Sequence, residues 1–273
     1  MKLIKLCQHI FLTLLIALSS TNLSAQDMVQ ATLDDTTFHW FSSEGQDIRI
    51  YYQQDSFAHR HRQMLLRSAN SAVKEASGYL GIAEFEKILR VFYLNSRTEM
   101  ERVVGRPCTG FANWDADAVF VVVNPDWRSF EKHEITHVLT MLSWGSPAPS
   151  SSWMIEGIAI ASDGWCREYS VDQIASHYLS QDMLPQLTDL FDDIRALGEV
   201  RGGMIAASLI GFIRHTYGPA ALRRIWLNGT DDLSDILSVE LDQLESTWHD
   251  YLRRSVTTGV PVDLDTIMES GCG

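Results

Sequence analysis

The amino-acid sequence predicts an α+β fold in which a mixed sheet with helices precedes an all-helical part. Residues 88–94 and 118–123 are almost entirely apolar, which is typical of strands buried on both faces of a sheet. A long helical pattern over residues 57–80 precedes both runs, and the periodic segments late in the chain all have helical spacing. We therefore expect residues 26–143 to form a sheet-and-helix lobe and residues 144–273 to form a helical lobe.

The remaining elements of the first lobe follow from alternation and from local signals. Residues 26–35 are polar, and we expect them to be loose. Alternating polarity predicts a β-hairpin with strands over residues 36–40 and 48–52. A short helix is expected to start at Thr98, with Glu101 in the capping-box position.

From the end of the first lobe onward, the elements follow from a period of 3.6 residues and from residues that end helices. Residues 144–152 contain glycine, two prolines and four serines, which favour a turn between two helices. The predicted helices, in chain order, cover residues 129–143, 153–162, 171–180, 204–217, 220–227 and 241–254.

The first of these helices carries a motif that predicts a metal site, His133-Glu134-Ile135-Thr136-His137. Residues four apart lie on one face of a helix, so His133 and His137 can hold one ion together. Glu134 lies beside the first histidine and can reach a water molecule at that ion. In this HExxH pattern two imidazoles bind Zn²⁺, and the glutamate is the general base of a metalloprotease.

A catalytic zinc ion needs a third protein ligand and an open position. Glu156 offers that ligand within the segment WMIEGIA, and eighteen residues separate it from His137. Nitrogen and carboxylate ligands suit zinc and also accept other divalent ions. The sequence therefore predicts one Zn²⁺ per chain, held by His133, His137 and Glu156. Asp163 is either a hydrogen-bond partner of one histidine or a loop residue.

The two motifs and their spacing resemble those of the gluzincin metallopeptidases, in which HExxH precedes a glutamate ligand within W-x-x-E-G-x-A. The pattern is similar to that of small bacterial peptidase-MA-like proteins, and the resemblance extends weakly over residues 86–254. It implies that residues 26–273 form a thermolysin-like domain with its cleft between the two lobes. It also implies zinc-dependent hydrolysis of peptide bonds, with Glu134 taking a proton from water and passing it to the leaving amine.

The chain departs from this pattern at the donor that stabilises the oxyanion. Related enzymes supply a tyrosine or histidine from the helical lobe, whereas Gly203-Met204 stands here where a tyrosine often opens a helix. Tyr178, His177 and Tyr169 are the candidate substitutes. Two alternatives therefore stay open, a zinc-binding pseudo-peptidase that binds peptides or a protein partner without cutting, and a metal-free helical binding domain.

Peptides or proteins are the expected substrates, and the resemblance favours an endopeptidase over an aminopeptidase. In this fold class the edge strand before the motif helix pairs with the substrate backbone. Related aminopeptidases carry a glutamate nearby that binds the free amine, but the segment GFANW over residues 110–114 has none. Asp115 and Asp117 follow it, either as substitutes or as turn residues. The formal net charge of −13 repels phosphate backbones, so nucleic acid is not an expected partner.

The first 25 residues have the pattern of a secretory signal peptide. Lys2 and Lys5 form a basic start, residues 10–18 form an apolar core too short to cross a bilayer, and cleavage is expected after Ala25. We expect an exported protein, in the periplasm or the medium, with an uncleaved membrane anchor as the alternative. The mature chain has no long apolar run, so no stable membrane span is expected in it.

The cysteines allow a disulfide in an exported chain. Cys7 lies in the predicted signal peptide, which leaves Cys108, Cys166 and Cys272. We expect the pair Cys108–Cys166, because these two residues flank the predicted site in the sequence. Three unpaired thiols are the alternative.

Overall fold

A five-stranded mixed sheet forms the first part of the structure. The computed structural model describes residues 25–126, 129–255 and 262–270. Its strands in this sheet are β1 (Trp40–Glu44), β2 (Ile48–Gln53), β3 (Leu89–Leu94), β4 (Gly110–Asn113) and β5 (Ala118–Val122). Their order is β1-β2-β3-β5-β4, with three parallel central strands and an antiparallel strand at each edge. The predicted α+β class is confirmed.

Helices cover both faces of this sheet. They are α1 (Ala25–Asp34), α2 (Phe57–Arg60), α3 (Arg62–Leu80), α4 (Arg97–Val104) and α5 (Glu131–Trp144). Successive side chains of a strand point to opposite faces. Val119 and Val121 of β5 belong to the apolar cluster that includes α3 and α5, whereas Phe120 and Val122 belong to the cluster that includes α1 and α4. Burial on both sides explains why this strand is apolar throughout.

The polar segment over residues 26–35, predicted to be loose, forms α1, and that prediction is wrong. Val29 of this helix is only 1% exposed and packs in one cluster with Phe92 and Phe120. Thr32 is also buried. The few apolar residues of this segment recur about once per helical turn, which is a weak local signal for a helix. The helix therefore depends on tertiary burial against the sheet.

The predicted hairpin is present, but its first strand begins at Trp40 instead of at residue 36. Asp35 accepts hydrogen bonds from both the backbone N–H and the hydroxyl of Thr37, at 2.9 and 2.7 Å. These bonds form a local turn that competes with strand pairing. The predicted first strand, residues 36–40, therefore shares only Trp40 with β1, and this part of the prediction is wrong.

The helix predicted over residues 57–80 is interrupted at His61, which separates α2 from α3. The backbone of His61 leaves the helical region, with φ −107° and ψ 13°. Its ring stacks on Phe57, and its Nδ1 lies 2.9 Å from the carbonyl oxygen of that residue. This local contact stabilises the break, so the prediction of one continuous helix is wrong.

Helix α4 has a different cap from the predicted one. It begins at Arg97, and the side chain of Ser96 accepts a hydrogen bond from the backbone N–H of Glu99 at 3.2 Å. The predicted pairing of Thr98 with Glu101 is therefore displaced by two residues. Ser96 has extended backbone angles, as an N-cap residue requires.

The second part of the structure is helical apart from a short hairpin, β6 (Trp165–Cys166) and β7 (Tyr169–Ser170). Its helices are α6 (Met154–Asp163), α7 (Val171–Ser180), α8 (Leu187–Asp192), α9 (Glu199–Tyr217), α10 (Pro219–Asn228), α11 (Leu233–Leu237), α12 (Leu241–Ser255) and α13 (Leu264–Ser270). One apolar cluster joins this part to α3, α5 and one face of the sheet. The bounds of α6, α7, α10 and α12 agree with prediction to within one residue.

Helix α9 begins five residues before its predicted start at Met204. The predicted helix begins only after Gly202 and Gly203, because glycine has a low helix propensity. A Cβ at Gly202 would lie 2.2 Å from the carbonyl oxygen of Ile194, and one at Gly203 would lie 2.8 Å from the side chain of Ile160. Close packing therefore requires glycine inside this helix.

Among the described residues, no helix has both the length and the apolar character that crossing a membrane requires. The predicted signal peptide, residues 1–25, lies outside the described residues except for Ala25.

Candidate metal centre

Helix α5 brings the two motif histidines together. His133 and His137 lie one helical turn apart, and their Nε2 atoms are 3.0 Å apart. The rings meet edge to face, with an interplanar angle of 84°. Their side chains are 18% and 12% exposed, so both imidazoles lie mostly out of solvent. This is the arrangement that the four-residue spacing predicted.

Glu156, in the first turn of α6, joins the two histidines. Its Oε2 lies 3.4 Å from Nε2 of His133, and its Oε1 lies 3.6 Å from Nε2 of His137. Ligands about 2.1 Å from a tetrahedral zinc ion lie about 3.4 Å from one another. Within the described part of the chain, these three residues are the group whose donor atoms could share one metal ion. The donor set and its separations therefore fit the predicted ion.

The charges at the site favour a cation between these side chains. Burial lowers the pKa of His133, but its bond to Glu156 and the negative charges of Glu134, Glu156 and Asp163 outweigh burial and raise the pKa to about 9. Burial also opposes ionisation of Glu156, yet its bonds to His133 and His137 hold its pKa well below the usual range. Asp163 thus acts electrostatically on the site. The Glu156 side chain is 54% exposed, which leaves the group open to solvent on one side.

Glu134 lies against the edge strand β4. Its residue is only 8% exposed. Burial raises the pKa of its carboxyl group, against the opposing positive charges of His133, His137 and Arg106. A raised pKa brings a carboxylate closer to the value at which it exchanges protons near neutral pH. Neither the motif nor its spacing indicated Arg106, whose contribution depends on folding of the segment before β4.

The two helices that carry the ligands are held together by polar and apolar contacts. The Thr136 hydroxyl of α5 lies 3.1 Å from the Ser162 hydroxyl of α6, and both residues are buried. On its other side, α6 packs against α9. A Cβ at Gly157 would lie 2.5 Å from Ile210 and 3.1 Å from Ala206, so glycine allows this close approach next to the ligand Glu156.

A buried hydrogen bond fixes the start of α5. The Glu131 carboxylate, 4% exposed, accepts hydrogen bonds from the hydroxyls of Tyr93 at 2.5 Å and Ser129 at 3.0 Å. Tyr93 comes from the central strand β3 and is fully buried. This contact therefore ties the helix that carries both histidines to the centre of the sheet.

Tyr93→Phe is expected to lower the free energy of unfolding by about 1–3 kcal/mol, because it leaves a buried carboxylate short of a donor. Ser129→Ala is the matched comparison and is expected to cost less, since Ser129 is half-buried and water can replace its hydroxyl. Urea denaturation of both variants measures the difference. Equal costs would contradict the role given to the Tyr93 hydroxyl.

Two of the three candidate oxyanion donors have partners outside the metal group. Tyr178 is 3% exposed, and the guanidinium of Arg201 lies 5.0 Å from the centre of its ring. The Tyr169 hydroxyl accepts a hydrogen bond of 3.3 Å from a backbone N–H just before α13. His177 lies half-buried in the last turn of α7. In the parts of the chain that the structure describes, none of the three forms a hydrogen bond or ring contact with His133, His137 or Glu156.

The acidic residues after β4 belong to a turn. Asp117 has a positive φ of 46°, and its carboxylate forms an ion pair with Lys87 at 2.8 Å. Asp115 lies in the short 3-10 turn Trp114–Ala116. The ion pair of Asp117 supports the turn interpretation for this residue over a role in binding a substrate amine.

The predicted disulfide Cys108–Cys166 is wrong. Cys166 is disulfide-bonded, whereas Cys108 is a free thiol. The other two cysteines, Cys7 and Cys272, lie outside the described residues. Proximity in sequence to the motif misled the prediction, because Cys108 packs in the cluster on the α1 side of the sheet and Cys166 packs in the cluster of the helical part.

Alkylation of the unfolded, non-reduced protein is expected to label Cys108 and to leave Cys166 unlabelled. Unfolding is needed because burial raises the pKa of the Cys108 thiol and so lowers its thiolate fraction. Peptide mass mapping reads both positions, and reduction before alkylation serves as the control that labels both. Label on Cys166 without reduction would disprove the assignment.

No protein-family model matches this sequence, and no curated protein matches it. Membership of the gluzincin family therefore stays a prediction from the two motifs.

Proposed function

We propose that this chain is an exported zinc peptidase of the gluzincin type with a thermolysin-like catalytic domain. One observation carries the proposal: the HExxH histidines and Glu156 converge at separations that suit a tetrahedral ion. An ordinary ion pair between histidine and glutamate would not need a second imidazole nitrogen this close to the first, whereas a shared metal ion does. The charges around them also favour a cation.

Each residue of the site has a role in this proposal. His133, His137 and Glu156 hold the zinc ion, which when bound supplies Lewis-acid chemistry to water and to the scissile carbonyl group. Glu134 removes a proton from the attacking water and later delivers it to the leaving amine. Its burial and raised pKa suit both transfers.

The edge strand supports a peptide as the substrate. The backbone N–H of Val122 donates to the carbonyl of Thr109 at 2.8 Å, and the register pairs Gly110 with Val121. In an antiparallel ladder alternate residues bond to the neighbouring strand, so Gly110 and Ala112 direct their backbone groups away from β5. An extended peptide can add to these groups by β-augmentation beside Glu134. The absence of an acidic residue from GFANW favours internal cleavage over removal of N-terminal residues.

A second candidate function is a zinc-binding pseudo-peptidase that holds peptides or a protein partner without cutting. The partners of Tyr178 and Tyr169 favour it, because among the described residues neither tyrosine forms a hydrogen bond or ring contact with the metal group. The presence of Glu134 in the motif favours catalysis, since holding a metal ion does not need this carboxylate.

The test uses the mature chain, purified without a chelator or a histidine tag. Elemental mass spectrometry measures metal content, and mass spectrometry of a mixed peptide library measures cleavage. One zinc per chain with internal cleavage supports the peptidase. One zinc per chain without cleavage supports the pseudo-peptidase. A chain that takes up no metal after dialysis against zinc overturns both.

A further inference from the structure

Gly110, the first residue of β4, stands in contact with the proposed general base. A Cβ built on Gly110 would lie 2.1 Å from Oε1, 2.8 Å from Cδ and 2.9 Å from Cγ of Glu134. The three nearest heavy atoms thus all belong to one side chain, and it is the side chain of the base. No real Cβ tolerates such distances, so any residue other than glycine would force Glu134 to move.

The backbone conformation of Gly110 does not itself require a glycine. Gly110 is not among the residues with positive φ, and it occupies a regular strand position paired with Val121. An alanine therefore fits the backbone of β4 without strain. What it displaces is the end of a flexible side chain, so the fold can absorb the added methyl group by moving Glu134.

We propose that Gly110 is a positioning residue for Glu134: the missing side chain lets the carboxylate lie against the backbone of β4. This inference rests on the proposed peptidase function. Glu134 is 8% exposed, so a Cβ on residue 110 would displace its carboxylate from a buried position. Gly110 thereby sets the distance from the base to the water it activates and to a peptide paired with the strand.

Gly110→Ala is expected to lower kcat at least about 10-fold, because a misplacement of about 1 Å can cost about 100-fold in rate. The zinc content and KM are expected to stay within twofold of the wild type, since the metal ligands are unchanged. Gly78→Ala in α3 is the matched control, because a Cβ there meets no atom within 4 Å. Wild-type kcat in Gly110→Ala, or loss of its zinc, would overturn the proposal.

A double-mutant cycle tests the contact without any turnover. Gly110→Ala is expected to lower the urea midpoint of unfolding in the wild-type background and not in the E134A background, where no carboxylate remains to be displaced. The effect of alanine on the unfolded chain is common to both backgrounds and cancels. An equal shift in the two backgrounds would overturn the positioning role.

The two measurements separate failure of this inference from failure of the proposed function. If the wild-type chain cuts no peptide, the peptidase proposal fails, and the unfolding cycle alone decides whether Gly110 positions Glu134. If the wild type cuts peptides and Gly110→Ala cuts them equally well, only the positioning role fails.

Discussion

Glu134→Gln is expected to lower kcat for peptide hydrolysis by about 10²- to 10⁴-fold, the range that general acid–base catalysis contributes. Glutamine has nearly the size of glutamate and fits the same space against Gly110, but its amide cannot accept a proton from water. His133, His137 and Glu156 are untouched, so the zinc content is expected to equal that of the wild type. Turnover and elemental analysis on one preparation measure both quantities.

The matched control is Glu75→Gln. Glu75 of α3 forms an exposed ion pair with Lys132 of α5, at 2.8 Å, and exposed pairs contribute little to stability. Its kcat is expected to stay within twofold of the wild type. Wild-type kcat in Glu134→Gln would show that another residue is the general base. If Glu134→Gln loses zinc, its lower kcat would report loss of the metal instead of loss of the base.

His137→Ala is expected to weaken zinc binding by more than about 100-fold, because changing even the partners of a ligand costs about 10- to 100-fold. In the proposed site His137 is one of three donors among the described residues, and its Nε2 lies 3.0 Å from that of His133. Peptide hydrolysis is expected to fall to background at low free zinc. Competition with a chromophoric chelator measures the affinity directly.

His215→Ala provides the control for histidine removal, since His215 is exposed in the last turn of α9. Its zinc affinity is expected to match the wild type. Circular dichroism of both variants reports whether the helices are intact. Tight binding of one zinc per chain by a folded His137→Ala protein would show that the ion sits elsewhere.

The predictable part of the structure is the part governed by local rules. A spacing of four residues places two side chains on one face of a helix whatever surrounds it, so His133 and His137 converge as expected. Helix α7 begins where predicted because its N-cap is a complete capping box between Ser170 and Gln173. The approach of Glu156 to the two histidines is also expected, because the eighteen residues between His137 and Glu156 are enough for one turn between two helices.

The errors come from contacts between distant segments. Helix α1 forms because Val29 is buried against the sheet, and the few apolar residues of this mostly polar segment do not encode that contact. The disulfide prediction used proximity in sequence, whereas Cys108 and Cys166 pack in different clusters. The sequence marks Gly110 only as part of a segment that precedes an apolar strand. Its contact with Glu134 needs the register of β4 on β5, which the sequence alone did not determine.

The origin of the ligands on two different helices has a consequence for the lifetime of the folded chain. An ion held by His137 and Glu156 closes the loop between α5 and α6 as a cross-link does, and it binds the folded chain far better than the unfolded one. Release of the ion and separation of α6 from α5 are then one linked equilibrium. On the proposed function, we expect scarcity of zinc to shorten the survival of the folded protein as well as to slow its reaction.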